Sequence, residues 1–178
     1  MSYTADGGIR GAVDRLIDML GRCDAMTSLV ADWPTRIYLD ALPPRTGGGE
    51  YSRNELESLR PFAIVWPDDV DGLRLRRRTA GIGCPSTAGR IIAQIEIPTP
   101  SNLAADPTAL GRHVQRLMGR VAHTGSLAAP GLWDLSHASG SLPIDEIDVT
   151  GYHRTDPRQM NDVGDCLVFE LAVRWGVA

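Results

Sequence analysis

The residue best suited to covalent chemistry is Cys84, in the glycine-rich segment Gly81-Ile-Gly-Cys-Pro-Ser-Thr-Ala-Gly89. A cysteine becomes a nucleophile when a neighbouring base or a helix N-terminus lowers the pKa of its thiol. Pro85 and the small residues after it favour a turn over a helix start of that kind. A small cysteine-dependent hydrolase centred on Cys84 and nearby histidines is therefore one alternative function, but the pattern favours an unreactive thiol.

The histidines and cysteines are not spaced like metal ligands. No HxxxH, HExxH or CxxC motif occurs among His113, His123, His137, His153, Cys23, Cys84 and Cys166. Gly81-Ile-Gly83 lacks the later glycine of a dinucleotide-binding fingerprint, and the chain has no GK[ST] phosphate loop. We predict no catalytic, metal-binding or cofactor-binding residue, no cofactor, and a protein that is not an enzyme.

The strongest charge feature is an arginine run, Arg74, Arg76, Arg77 and Arg78. On a strand, residues 74, 76 and 78 share one face. This basic face either meets an acidic partner surface, such as a neighbouring subunit, or is a solvated face neutralised by Glu96 across a hairpin; the pattern slightly favours solvation. In the first interpretation nearby aspartates are the complementary surface. The candidate interaction residues are therefore Arg74, Arg76, Arg78, Asp68, Asp69 and Asp71.

The composition limits the partners of this 178-residue chain. All 18 basic residues are arginine, which is typical of GC-rich coding, and the net charge of −4 disfavours specific nucleic-acid recognition. The apolar runs are far too short to cross a membrane, and the first residues do not resemble a signal peptide. We predict a cytosolic protein, at least when it is made, with no membrane partner.

Periodicity predicts an α+β fold in a single domain, residues 1–178. Apolar residues at helical spacing indicate one amphipathic helix near residues 9–20 and a second after Asp106-Pro107, which is typical of an N-cap. Alternation predicts strands near residues 36–39, 62–66, 144–149 (with a bulge near Asp145) and 167–175. Residues 41–60 and 125–141 are predicted to be long loops, apart from a helical turn near 54–59. A mostly antiparallel sheet covered by two helices fits this order.

A long central hairpin is predicted between residues 73–80 and 90–97. The register that we expect places Leu75 opposite Ile95, and Leu73 opposite Ile97, on one face. On the other face Arg74 lies opposite Glu96 and Arg76 opposite Gln94. A slip of one residue would spoil both faces.

The order and length of these elements resemble those of tail terminator (tail-completion) proteins and other minor tail proteins of long-tailed bacteriophages. The matching segments are the helix Ile9 to Leu20, Arg36-Ile-Tyr-Leu39, Arg60-Pro-Phe-Ala-Ile-Val65, Gln94-Ile-Glu-Ile97, the helix after Asp106, and Ala172-Val-Arg-Trp-Gly176. The resemblance implies a structural virion protein, made in the host cytoplasm, that forms a homo-oligomeric ring, typically a hexamer. It implies as partners the tail tube protein and head connector proteins. A head–tail adaptor (head–tail joining) protein is the nearest alternative.

Overall fold

The computed structural model describes residues 8–68, 74–76, 86–138, 144–155, 158 and 160–176. Cys84, Asp69, Asp71 and Arg78 lie outside these residues. In chain order the elements are α1 (Gly8–Arg22), α2 (Asp24–Thr27), a short 3-10 helix (Trp33–Arg36), β1 (Ile37–Leu39), α3 (Arg53–Leu59), β2 (Phe62–Pro67), β3 (Arg74–Arg76), β4 (Ser86–Pro98), α4 (Pro107–Ala122), α5 (Leu132–Ala138), β5 (Ile144–Arg154), α6 (Met160–Val163) and β6 (Cys166–Gly176).

The strands form one mixed sheet. Its order is β1-β2-β4-β6-β5. β3 and β2 both pair with the same edge of β4, β3 with residues 86–88 and β2 with residues 91–96. β1 and β2 are parallel, and the other pairs are antiparallel. The predicted α+β class and the mostly antiparallel sheet are confirmed.

The two predicted amphipathic helices pack against this sheet. α4 buries its whole apolar stripe, and Asp106 caps it by accepting hydrogen bonds from the backbone N–H groups of Thr108 and Ala109. α1 buries Val13, Leu16 and Leu20 in the same cluster, which also includes the alternate residues of β4 and β6. The residues of these two strands in the cluster are Ile91, Ala93, Ile95, Ile97, Leu167, Phe169, Leu171 and Val173.

The predicted antiparallel pairing of β3 with β4 is present, but the register was wrong, because β3 pairs with residues 86–88 and not with residues 90–97. Arg74 lies opposite Ala88 and Arg76 opposite Ser86, not Glu96 and Gln94. Leu75 lies opposite Thr87 and not Ile95, while Leu73 is outside the described residues. The physical reason is that β4 begins at Ser86 and that its second half pairs with the apolar strand β2.

The prediction of two long loops was also partly wrong. Residues 41–60 contain α3, where a helical turn was expected, but residues 125–141 contain the unpredicted helix α5. α5 is seven residues long and buries Leu132 and Leu135 on one side. Such a short stripe is hard to recognise in a glycine-rich and serine-rich segment.

β5 begins at Ile144 as predicted, but it continues to Arg154, beyond the predicted end at Val149. Ile144 and Glu146 pair with the consecutive residues Trp175 and Arg174, so Asp145 is an extra residue. The predicted bulge at Asp145 is confirmed.

Candidate interaction surface

The sheet has a second face, opposite to the one that α1 and α4 cover. In the described part of the chain, none of the residues on this face belongs to the hydrophobic cluster that the helices share. We call it the second face, and its residues include Phe62, Ile64, Trp66, Arg90, Ile92, Gln94, Glu96, Glu146, Asp148, His153, Val168, Glu170, Ala172 and Arg174.

An apolar row crosses the middle of the second face. Trp66, Ile92 and Ala172 lie opposite one another on β2, β4 and β6, and Ile64 lies one row away on β2. Ile92 and Ala172 are buried, whereas Trp66 and Ile64 are only half-buried. The exposed parts of these two side chains give the surface an apolar centre.

A row of four charges lies beside the apolar row. Arg90 and Arg174 are direct cross-strand neighbours, an arrangement that is unfavourable for like charges. Acids on the outer sides compensate, because Asp68 Oδ2 lies 3.0 Å from Arg90 Nη1 and Glu146 Oε2 lies 3.6 Å from Arg174 Nε. We call Asp68, Arg90, Arg174 and Glu146 the charge row.

The charge row borders a shallow cavity of about 180 Å³, which Asp148 and Ala172 also line. The lining combines two guanidinium groups with two carboxylates, so the cavity has no excess of positive charge. Arginines that are half-buried beside exposed apolar groups are typical of protein interfaces. This combination of charged and apolar groups is suited to contact with a protein surface that also has both.

The other end of the second face is closed by a buried ion pair. The Arg60 side chain is only 2% exposed, and its Nη2 lies 3.0 Å from Glu96 Oε2. Arg60 Nη1 also donates a 2.6 Å hydrogen bond to the carbonyl of Val163 in α6. This pair joins β2, β4 and α6, and it is a structural contact.

The predicted interaction residues are only partly described. The backbones of Arg74 and Arg76 lie in β3, and Arg78, Asp69 and Asp71 are outside the described residues. Asp68 is not in an open loop, because it follows β2, donates its backbone N–H to the carbonyl of Arg90 and pairs with the Arg90 side chain. The sequence analysis missed Arg90, Arg174 and Glu146. Their signal was present, since they occupy the polar phase of alternating strands.

The described cysteines do not support thiol chemistry. Burial raises the pKa of both Cys23 and Cys166 to about 11, so each is a thiol at neutral pH. The alternative hydrolase was centred on Cys84, which lies outside the described residues.

The imidazole of His123 and the carboxylate of Asp134 form a pair that holds the loop between α4 and α5. His123 Nε2 lies 3.2 Å from Asp134 Oδ1. The Asp134 carboxylate also accepts hydrogen bonds from the backbone N–H groups of Thr124, Gly125 and Gly131, and from the Thr124 hydroxyl at 2.9 Å. Burial raises the pKa of Asp134, but these hydrogen bonds outweigh burial and hold it below its usual value. The hydroxyl faces the carboxylate, so the imidazole is not placed to activate it.

Two further findings concern metals and membranes. Among the described residues, no group of three or more histidines, cysteines and acidic residues is arranged to hold a metal ion. None of the described helices combines the length and the apolar character needed to span a membrane.

Comparison with known proteins adds no family. No protein-family model matches the sequence, and no curated protein matches it either.

Proposed function

We propose that this protein is a structural subunit of a phage tail or neck that assembles with copies of itself. Its most specific form is a ring-forming tail terminator that caps the tail tube and joins it to the head. The observation that carries the proposal is the second face of the sheet, where half-buried Trp66 and Ile64 lie beside the charge row. An apolar centre with a polar, arginine-containing rim is the usual anatomy of a protein interface.

A ring places a condition on the surfaces. Each copy repeats one heterologous contact, so it needs two different and complementary patches. In the proposal the second face is one patch. The arginine run that includes Arg74 and Arg76 stays a sequence-based candidate for contacts between copies.

The assembly state tests the proposal directly. Native mass spectrometry and light scattering of the full chain, over a wide concentration range, are expected to give one closed oligomer. Negative-stain images of it should have a central hole. The decisive contrary result is a monomer at every concentration, both with and without the tail tube protein.

A pair of matched variants connects the ring to the second face. Trp66→Glu places a charge in the apolar row and is expected to reduce ring formation at least tenfold. Leu127→Glu changes a 67% exposed leucine in the α4–α5 connection and should leave the ring intact. Equal effects of the two changes would remove the second face from the proposal.

The partner distinguishes a tail terminator from an adaptor. A terminator ring binds one end of tail tubes assembled from purified tube protein and stops their growth. A ring that binds only head connector protein would identify the adaptor alternative.

A further inference from the structure

We propose that the free edge of β5 pairs with β5 of a second copy of this chain, antiparallel and about a twofold axis at Val149. A twofold contact joins two copies and then closes. It therefore differs from the repeated contact of a ring, and it rests on different observations.

The first observation is the edge itself. β5 is 11 residues long and is the outermost strand on its side of the sheet. Of the strands that the structure describes, only β6 pairs with it. A long edge strand has a row of backbone N–H and C=O groups that can template another strand.

The second observation is that the apolar side chains along this edge are not fully buried. Ile147, Val149 and Tyr152 pack against the hydrophobic core but are only partly buried. A crevice of about 260 Å³ opens beside Ile147, and Ala122, His123 and Trp133 also line it. A strand added at this edge would cover what remains exposed of these apolar side chains.

The third observation is the bulge in the second half of β5. Thr150 pairs with Glu170 and Tyr152 pairs with the next residue, Phe169, so Gly151 is an extra residue. Glycine is well suited to such a bulge. The bulge reverses the alternation, which puts the residues before and after it in a different phase.

This change of phase selects the register. Antiparallel pairing about Val149, with the extra residue skipped in both strands, places Ile147 opposite the partner's Tyr152 on the core side. It places Glu146 opposite the partner's His153 on the second face. Every pair then joins residues on the same face, and a slip of one residue would oppose apolar to charged positions.

Charge selects the direction. The first half of β5 carries Glu146 and Asp148, whereas the second half carries His153 and Arg154. Parallel pairing in register would put each acid beside its own copy, which is unfavourable. Antiparallel pairing puts the acidic half beside the basic half. The imidazole of His153 has an N–H to donate to a carboxylate whether or not it is protonated.

Disulfide trapping tests the register. The background is the full chain with Cys84→Ser, which keeps the buried Cys23 and Cys166. Val149→Cys should cross-link to a dimer under mild oxidation, because directly opposite Cα atoms about 4.5–5.5 Å apart suit a disulfide. The cross-linked fraction is expected to exceed tenfold that of Arg116→Cys, a control on the exposed side of α4.

The off-axis variants sharpen the test. Glu146→Cys alone should stay at the control level, whereas the double variant Glu146→Cys with His153→Cys should cross-link. Val149→Cys at the control level overturns the contact. Cross-linking of Glu146→Cys alone overturns the register.

A charge exchange gives an independent measurement that needs no oxidation. Glu146→Lys should weaken dimerisation about tenfold in sedimentation equilibrium, since the twofold axis repeats the effect. Adding His153→Glu to that variant should restore the dissociation constant to within about threefold. Unchanged dimerisation in the single variant would overturn the proposed pairing.

The outcomes distinguish this contact from the proposed ring. Rings that form without β5 cross-links would refute only the β5 contact, and cross-linked dimers that form no rings would refute only the ring.

Discussion

The two faces of the sheet are built from the same strands, yet they differ in what covers them. Ile91 and Ile92 are adjacent on β4, and Ile91 lies in the cluster shared with the helices while Ile92 lies on the second face. One face therefore belongs to the hydrophobic cluster shared with the helices, whereas none of the described residues of the other face belongs to it. The difference separates residues that stabilise the monomer from residues available for assembly.

The largest expected effect comes from exchanging this pair of isoleucines for alanine. Ile91→Ala removes a fully buried side chain from the cluster and should lower the free energy of unfolding by about 4 kcal/mol. Ile92→Ala should lower the free energy of unfolding of the monomer by about half as much, because Ile92, which is 8% exposed, has solvated charges among its neighbours. Urea denaturation of the two variants measures this, and equal losses would contradict the distinction between the faces.

The buried ion pair on the second face should give the next largest effect. Arg60→Ala leaves the Glu96 carboxylate without its cation and the Val163 carbonyl without its side-chain donor, and we expect a loss of about 3 kcal/mol in unfolding free energy. Replacing both partners, with Arg60→Met and Glu96→Leu, should recover most of that loss. A double variant as unstable as the single one would show that the charged pair and the hydrogen bond to Val163, rather than packing of the arginine stem, stabilise the contact.

The sequence predicted the helix-covered face far better than the second face. The apolar stripe of α4 and the alternation of β6 each predict the side that packs against the core. Packing between the helices and the sheet requires large apolar residues at a fixed period in the sequence. The register of β3 was wrong, since cross-strand charge matching gave Arg74 a plausible partner in Glu96. In the structure Glu96 pairs with Arg60, which is distant in sequence. Periodicity contains no information about which strands become neighbours.

The same limit applies to the charge row. Arg90, Arg174 and Glu146 come from three different strands, and the pairing of β6 with both β4 and β5 brings them together. Alternation places each of them on a polar face, but it cannot show that these faces coincide. Asp68 was singled out for its charge and its place in a turn, whereas its contact with Arg90 depends on the β2–β4 pairing.

A pH titration compares the Arg60 pair with its counterpart at the end of β5. Arg154 forms an ion pair with Asp165, and the Arg154 guanidinium holds the pKa of Asp165 below its usual value of 3.8. Because the folded pKa is the lower one, this stabilisation is present above about pH 4 and is lost as the pH falls through the folded pKa. Asp165→Asn should remove about 1 kcal/mol at neutral pH and progressively less as the pH falls through the folded pKa. A loss that does not change with pH would mean that Asp165 acts through hydrogen bonds alone.

The smallest effects should separate the two acids of the charge row. The Asp68 side chain is 12% exposed and lies 3.0 Å from Arg90, whereas that of Glu146 is 60% exposed and lies 3.6 Å from Arg174. Solvent screens the outer pair more strongly, so Asp68→Asn should cost about 1 kcal/mol in unfolding free energy and Glu146→Gln about 0.3 kcal/mol or less. Double-mutant cycles with Arg90→Met and Arg174→Met measure the two coupling energies in the monomer. If the outer pair proves the stronger, Glu146 stabilises the fold itself and is a poor reporter of contacts at the β5 edge. If it is as weak as expected, any larger effect of Glu146 substitutions on assembly arises between copies of the chain.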